Sequence, residues 1–303
     1  MDRFEQLERA LRTSCPDLEL RVMEPMARHT TFRIGGPARL MALPKTRDQA
    51  IAVVRAAAER EIAPFFMGNG SNLLVPDEGT ERFVVKTADG LTGCSREGTE
   101  ITADSGVTLA HLAVFAREQG LAGLEFAHGI PGTLGGAVTM NAGAYGGEMV
   151  QVVKRVTFLT EEGAVEDLDG AQCAFRFRHS VFSDERRLIL GATLALAPDD
   201  PARIQARMEE LMAKRKGKQP LEYPSAGSTF KRPEGYFAAA LIDQCGLKGL
   251  TVGGAQVSEK HAGFVINRGG ATCVDVLALV EQIKYRVREQ TGVELELEVK
   301  ILR

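Results

Sequence analysis

The stretch Gly129–Gly147, G-I-P-G-T-L-G-G-A-V-T-M-N-A-G-A-Y-G-G, limits the chain more than any other. Glycine occupies positions 129, 132, 135, 136, 143, 146 and 147, and no charged side chain interrupts the run. Glycine loses more conformational freedom on ordering than any other residue, so regular structure disfavours a run this dense. Its use is close approach: without a Cβ, successive backbone N–H groups form a concavity that suits an anion. The competing reading is a flexible loop. Pro131 and the apolar Ile130, Leu134, Val138 and Met140 argue against it, because a flexible linker is built from Gly, Ser and polar residues. The expectation is an ordered backbone cradle for a phosphate-bearing ligand.

Composition narrows what surrounds the cradle. A chain of 303 residues with 44% hydrophobic and 25% charged content suits a globular protein of about two domains, or three small ones. A net charge of −3 gives no electrostatic case for nucleic acid. No apolar run reaches the ~20 residues that cross a bilayer. The first residues, M-D-R-F-E-Q-L-E-R-A-L-R, are charged and periodic, unlike a signal peptide. A cytoplasmic protein without membrane attachment is expected. The cysteines, 15, 94, 173, 245 and 273, are odd in number, lack any C-x-x-C pair and have no histidine at metal-ligand spacing. No metal site is expected.

In chain order, Phe4, Leu7 and Leu11 predict a helix over 2–13. T-T-F-R-I-G-G-P-A, 30–38, reads as a strand entering a sharp turn. Thr46 and Gln49 have the spacing of a capping box opening a helix to Arg60, with Ile51, Val54 and Ala58 on one face. Strands are predicted at 62–67, 83–86 and 100–103. A helix at 108–117 turns Leu109, Leu112 and Phe115 inward, with Gly120 as its stop. Next come a hairpin over 152–168 and a strand at 188–196. A helix covers 204–218, a short one 236–245, and a strong one 275–290 with Val276, Val280, Ile283 and Val287 as its stripe. The last segment, 293–301, alternates as a strand should. Val293, Leu295, Leu297, Val299 and Ile301 face one way; Glu294, Glu296, Glu298 and Lys300 face the other.

Four segments carry possible chemistry beside the cradle. Gly68-Asn-Gly-Ser-Asn-Leu-Leu follows a strand, as a dinucleotide fingerprint does. Leu73 stands where the third glycine belongs, and no helix follows, so a Rossmann turn is disfavoured. The segment is either an ordinary turn or a second phosphate donor. Ala171–Ser180 alternates, placing Arg176 and Arg178 on one face. Such a pair is either solvated or a bidentate anion site. The basic end of the 204–218 helix either complements the helix dipole or meets a diphosphate. Ser228 reads as a capping serine, and the glutamate face of 293–301 as a solvated one, unless one carboxylate turns into a site.

Six motifs resolve these alternatives. T-T-F-R-I-G-G-P-A, G-N-G-S-N-L-L, the glycine run, F-R-F-R-H-S, P-S-A-G-S-T-F-K-R-P and the terminal E-V-K-I stand in the order seen in the UDP-N-acetylenolpyruvoylglucosamine reductase family, which the chain resembles over essentially its whole length. The resemblance implies an α+β, FAD-binding fold of the PCMH/vanillyl-alcohol-oxidase type. Two α+β subdomains, 1–85 and 86–200, would surround FAD. A C-terminal α+β substrate-binding domain, 201–303, would send its last strand back toward the flavin. The implied activity is NADPH-dependent reduction of an enolpyruvyl ether to UDP-N-acetylmuramate in peptidoglycan synthesis. Arg178, Ser228 and Glu298 match the family's catalytic positions. The motif thus selects Glu298, where the strand pattern left three glutamates open.

Cofactor contacts are expected from Arg33, Gly35, Gly68, Asn69, Gly70, Ser71, Asn72, Leu73, Gly129, Pro131, Gly132, Gly135, Gly136, Asn141, Ala142 and Gly143. Arg215, Lys218 and Lys231 are expected on the UDP diphosphate. Partners are small molecules only, and a monomer is expected. Two departures stand out. Phe177 replaces the tyrosine usual before the arginine. The interval from Arg178 to Arg215 leaves no room for the tyrosine-bearing substrate loop, as in the subclass (type II) that lacks it. The alternatives are another FAD-dependent oxidoreductase of this fold acting on an alcohol, and a nucleotide-binding protein without catalysis.

Overall fold

The computed structural model describes residues 2–184 and 187–302. The chain forms two compact units, each assembled from separated stretches. The first comprises Met1–Val22, Leu40–Asn69 and Arg82–Ala213; the second comprises Met23–Arg39, Gly70–Glu81 and Lys214–Arg303.

In the first unit, helices begin where an acceptor side chain precedes an apolar repeat. Asp2 opens Arg3–Ser14 with a reciprocal capping box to Glu5, and Phe4, Leu7 and Leu11 are buried. Thr46 caps Arg47–Ala58 by accepting the Gln49 N–H, but the Gln49 side chain accepts from Lys45 instead of Thr46. The buried face of that helix is Ala50, Val53, Val54, Ala56 and Ala57. Ala58 is exposed and Ile51 half-buried, so the face is rotated from the expected one. Thr108 caps Leu109–Glu118, and Gly120 follows in the left-handed region at φ +66°. Leu109 and Leu112 are fully buried, with Phe115 packed partly against the same core.

A five-stranded antiparallel sheet runs Val165–Asp169, Val153–Leu159, Leu188–Ala195, Glu100–Asp104, Cys94–Glu97. Its inner face, with Ile101, Ala103, Val156 and Phe158, packs on the helix Leu109–Glu118. A parallel pair joins Pro64–Met67 to residues 83–86, beneath Leu7, Leu11, Val53 and Ala57. Each fully buried Leu or Phe is worth roughly 1.5–3 kcal/mol. A cap is worth ~1 kcal/mol, so packing holds these helices and capping sets their ends.

The second unit centres on the helix Cys273–Thr291. Thr272 and Asp275 form its capping box, and Gly292 ends it in the left-handed region at φ +71°. Hydrogen bonds from the backbone of Thr272 and Gly254 hold the Asp275 carboxyl below the usual carboxylate range. The Asp77 carboxylate accepts the first two helical N–H groups, Cys273 at 2.8 Å and Val274 at 3.2 Å, where the helix dipole favours negative charge. Val276, Leu279, Val280, Ile283 and Val287 form one core with Val257 and Val265 of the three-stranded sheet Thr251–Val252, Ala255–Val257, Val265–Asn267.

Three expected strands differ in form. Residues 30–36 make no strand. A single 3₁₀ turn, Met26–Arg28, leads into an irregular stretch, and the strand is Pro37–Leu43. The reason lies in Gly35 and Gly36, whose positions exclude a side chain. A Cβ on Gly36 would lie 2.2 Å from the Asp77 carbonyl oxygen, and one on Gly35 would lie 2.6 Å from the Val75 Cβ. Residues 171–180 are not a strand either: Gly170–Cys173 is a 3₁₀ turn, and Ala174 and Arg178 are left-handed. Residues 293–301 pair only piecemeal, as described below. No helix among the described residues is long and apolar enough to cross a membrane.

Candidate functional site

In the first unit the glycine run folds as an irregular segment with one short helix, Leu134–Thr139. It does not offer all its N–H groups outward. Leu134 N–H donates to Val107 and Gly135 N–H to Ser105, both at 2.8 Å, tying the run to the edge of the sheet. What the glycines give is contact. A Cβ on Gly68 would lie 2.0 Å from Thr133 Oγ1, and one on Gly135 would lie 2.9 Å from the Ser105 Cβ. The two glycine-rich segments therefore meet through Gly68 and Thr133.

Ser105 and Thr133 line this meeting point, and sequence reading singled out neither. Each is 1% exposed. Neither hydroxyl finds a hydrogen-bond partner among the described residues. A buried hydroxyl left unpaired costs about 1–3 kcal/mol, so these two call for polar atoms of a ligand. The residues present thus fit a flavin nucleotide held at this wall. The D-S-G-V around Ser105 reads as an ordinary turn, and only its unpaired hydroxyl in the folded chain marks it.

Asn141 has its carboxamide wholly engaged by protein. Nδ2 donates to Glu148 at 3.0 Å and to the Arg176 carbonyl at 3.2 Å, while Oδ1 accepts the Val150 N–H. Arg178 follows close by. Arg176 and His179 exchange both backbone hydrogen bonds, at 2.9 and 3.1 Å. Phe177 and Arg178 are the two central residues of a tight turn, with Arg178 at φ +54°. Its guanidinium donates to the Gly143 carbonyl at 3.2 Å and lies 5.1 Å from the Phe177 ring centroid. Arg176 and Arg178 thus do not share a strand face, contrary to what their alternation predicts, because the chain turns tightly between them. Arg176 sits at the turn's base beside His179, which in turn bonds Asp184.

The second unit assembles another set. Gly227, left-handed at φ +77°, turns the chain between buried Ala226 and exposed Ser228. Thr229, 3% exposed, fixes Ser228 from two sides. Its N–H donates to Gly263 at 2.8 Å and its hydroxyl accepts the Val265 N–H at 2.9 Å. Its carbonyl accepts the Glu298 N–H at 2.9 Å, and Lys231 N–H donates to the Glu296 carbonyl at 2.8 Å. Phe230 and Leu297 form an antiparallel bridge between these pairs. Ser228 and Glu298 therefore lie on adjacent paired segments. Asn72 joins them: its Nδ2 donates to the Glu298 carbonyl at 3.2 Å and its carbonyl accepts the Lys300 N–H at 3.0 Å. Leu73 and Leu74 continue parallel to Lys300 and Ile301.

The terminal glutamates are not equivalent here. Glu294 and Glu296 are about three-quarters exposed and pair with Arg288 and Lys231. Glu298 is half-buried. Lys231, expected on diphosphate, is engaged with Glu296 at 3.1 Å. Arg33 is exposed and left-handed at φ +56°, between buried Phe32 and Ile34. The segment before it is anchored where Thr31 N–H donates to the Gly70 carbonyl and Thr31 Oγ1 to the Ser225 carbonyl. Arg215 is half-buried and Lys218 exposed at the end of the helix Pro201–Lys218. His261 also adjoins the Ser228 segment through Gly263. Burial, with Lys248 and Lys218 nearby, pushes its imidazole below the ordinary histidine value, and Nδ1 accepts the Gly263 N–H at 3.2 Å.

Comparison with known proteins places this arrangement. Residues 219–302 match the family model described as UDP-N-acetylenolpyruvoylglucosamine reductase, C-terminal domain, and residues 38–169 match an FAD binding domain. A UDP-N-acetylenolpyruvoylglucosamine reductase of Caldanaerobacter subterraneus subsp. tengcongensis is 48% identical over 284 residues, 94% of each chain. That of Geobacillus thermodenitrificans is 45% identical over 302 residues, covering 100% of this chain and 99% of its own. The solved reductase of Thermus caldophilus has a TM-score of 0.81 at 36% identity, covering 94% of this chain and 99% of that one. A Phl p 4 variant described as a glucose oxidase shares the fold alone, with a TM-score of 0.50 at 14% identity over 66% of this chain and 45% of that one. The α+β, FAD-binding fold implied by the sequence motifs agrees with these matches.

Proposed function

Because the chain belongs to the UDP-N-acetylenolpyruvoylglucosamine reductase family of FAD-dependent oxidoreductases, we propose that it reduces UDP-N-acetylglucosamine enolpyruvate to UDP-N-acetylmuramate. NADPH is the reductant, and the reaction is a cytoplasmic step of peptidoglycan precursor synthesis. When bound, FAD would supply the hydride chemistry, carrying hydride from NADPH to the enolpyruvyl methylene carbon.

The chain's own residues do the rest. Hydride addition leaves negative charge delocalised from the adjacent carbon into the substrate carboxylate. A fixed cation is worth most where charge develops, and Arg178 supplies it. Glu298 works with the arginine to polarise the carboxyl group. Ser228 delivers a proton from its Oγ to the carbanionic carbon. A serine hydroxyl is a weak acid in water, so its contribution comes from position. The hydrogen bond from Glu298 N–H to the Thr229 carbonyl supports this reading, because it pairs the backbone segment that carries Ser228 with the one that carries Glu298. Gly68, Gly135 and Gly136, with Gly129, Pro131, Gly132, Ala142 and Gly143, form the flavin wall, and Asn141 joins it through its backbone. Arg33, Gly35, Asn69, Gly70, Ser71, Asn72 and Leu73 complete the cofactor contacts, and Arg215, Lys218 and Lys231 serve the diphosphate.

The test separates the half-reactions. Ser228→Ala should leave NADPH-dependent bleaching of the flavin within about twofold of native. Reoxidation by the enolpyruvyl ether should slow by about 10²–10⁴-fold, the range of a lost general acid. Equal loss in both half-reactions would remove Ser228 from the proton step.

A further inference from the structure

The turn that presents Arg178 is not stable by its own chemistry. Its two central residues are Phe177 and Arg178, and the second lies at φ +54°, where glycine is favoured and an arginine is strained. A strained turn at a working position persists only when its surroundings hold it. The surroundings here are specific. Ser180, fully buried, donates from Oγ to the Thr139 carbonyl at 2.7 Å, and Ser183 donates to the same carbonyl at 2.6 Å, fixing the chain after the turn. Before the turn acts the side chain of Asn141, which is 2% exposed.

Three partners define its orientation. Nδ2 faces two acceptors, the Glu148 carboxylate and the Arg176 carbonyl, and Oδ1 faces one donor, the Val150 N–H. A carboxamide has two donor hydrogens and an acceptor oxygen, which matches this set in one orientation only. Asn141 is itself left-handed at φ +43°, a region that asparagine tolerates better than most residues. Aspartate would set a carboxylate against Glu148, and glutamine lacks the backbone tolerance. The Arg176 carbonyl is the very group that accepts the His179 N–H and closes the turn.

We propose that Asn141 is a positioning residue for Arg178. Its carboxamide holds the Arg176 carbonyl, and through it the left-handed turn that aims the guanidinium. The proposal rests on the reading that Arg178 acts on the substrate carboxylate. It adds a role beyond the cofactor wall, since the carboxamide is engaged by protein and not turned toward a ligand.

The experiment is a double-mutant cycle on the FAD-loaded enzyme, following flavin reduction by NADPH and reoxidation by UDP-N-acetylglucosamine enolpyruvate in stopped flow. Asn141→Gly is the first variant, because glycine adopts the same backbone without strain. Its FAD affinity is read by flavin fluorescence and both half-reactions are followed at saturating FAD, so that a lost cofactor contact and a misaimed guanidinium read out separately. Reoxidation should slow by about 10–100-fold, as a small misplacement of a catalytic group does. Arg178→Ala should slow reoxidation by about 10³-fold. The double variant should match Arg178→Ala within about threefold, because no guanidinium remains to be aimed. Losses that multiply, or an Asn141→Gly enzyme with native reoxidation, overturn the proposal. Native reoxidation by Arg178→Ala instead overturns the role of Arg178 itself. Should the glycine variant fail to fold, Asn141→Asp keeps the Val150 acceptor, removes the donor and sets a second carboxylate against Glu148, which displaces the turn further. The same non-additivity is then expected, and multiplied losses again overturn the proposal.

Discussion

Two segments of this chain alternate apolar and charged residues, F-R-F-R-H and V-E-L-E-L-E-V-K-I, and they fold differently. In the terminal segment the alternation survives as burial. Leu295 and Val299 are 3% and 7% exposed, while Glu294 and Glu296 face solvent. In the other, Phe177 is 54% exposed and the chain makes a tight turn with Arg178 left-handed. The difference is the partner. The terminal segment finds residues 229–231 on one side and 72–74 on the other. Residues 176–179 pair with one another rather than with a neighbouring strand, and are held by side-chain contacts to Asn141, Gly143 and Asp184. Period-two patterning predicts a strand only where another strand accepts its hydrogen bonds.

The largest expected effect tests what burial does to chemically identical side chains. Glu298→Gln should slow reoxidation by the enolpyruvyl ether by about 10²–10⁴-fold, as removal of a working carboxylate does. Glu296→Gln should change it by less than about threefold, since an exposed pair such as Glu296 with Lys231 contributes little. Comparable losses in the two variants would mean that the half-buried position of Glu298 confers no special role.

Next comes stability. Leu295→Ala removes a buried side chain from the core of the second unit and should cost about 2–5 kcal/mol in denaturant unfolding. Phe177→Ala, at an exposed position, should cost less than about 0.5 kcal/mol. A large loss at Phe177 would show that the turn packs as a core element and that the contrast between the segments is wrong.

These contrasts show what patterning and motif each reveal. The helix starts after Thr46 and Thr108 were legible because both are local acceptors that act within one turn of chain; Asp2 and Thr272 cap in the same way but were not read as caps. The strands around 30–36 and 171–180 were misread because their backbone follows from distant constraints. At 35 and 36 these are Val75 and Asp77; at 178 the turn is anchored through Asn141. The E-V-K-I motif singles out Glu298, where alternation leaves three glutamates equivalent. Ser105 and Thr133 were invisible, since an unpaired hydroxyl is a property of the folded neighbourhood and leaves no spacing to read.

A pH test addresses the anchoring of the terminal segment. His261 Nδ1 accepts the Gly263 N–H, and the Gly263 carbonyl accepts Thr229 N–H beside Ser228. The acceptor role requires the neutral ring. Burial, with Lys248 and Lys218 nearby, lowers the folded-state pKa from the ordinary 6.5. Above that value both folded and unfolded states hold a neutral ring, and the stability it contributes is fully present. As pH falls below it the unfolded chain takes up the proton first, so stability declines toward the lowered folded value. Denaturant midpoints at pH 7.5 and about 5.5 should therefore differ less in His261→Asn than in the native chain. An unchanged difference would remove His261 from this anchoring.

The smallest effect belongs to the turn. Phe177 stands where the family usually has tyrosine, and the Arg178 guanidinium lies 5.1 Å from its ring centroid. A cation–π contact at an exposed site is worth about 0.5–1 kcal/mol, or roughly two- to fivefold in an equilibrium. Phe177→Leu keeps an apolar side chain but removes the ring face. It should raise the KM for the enolpyruvyl ether by about that factor, with the rate of flavin reduction by NADPH unchanged. Phe177→Tyr should retain the native KM, because the tyrosine ring offers the same face to the guanidinium. If leucine substitutes without effect while tyrosine improves KM, the ring is not what steadies Arg178. The hydroxyl that this chain lacks would then be the functional part of that position.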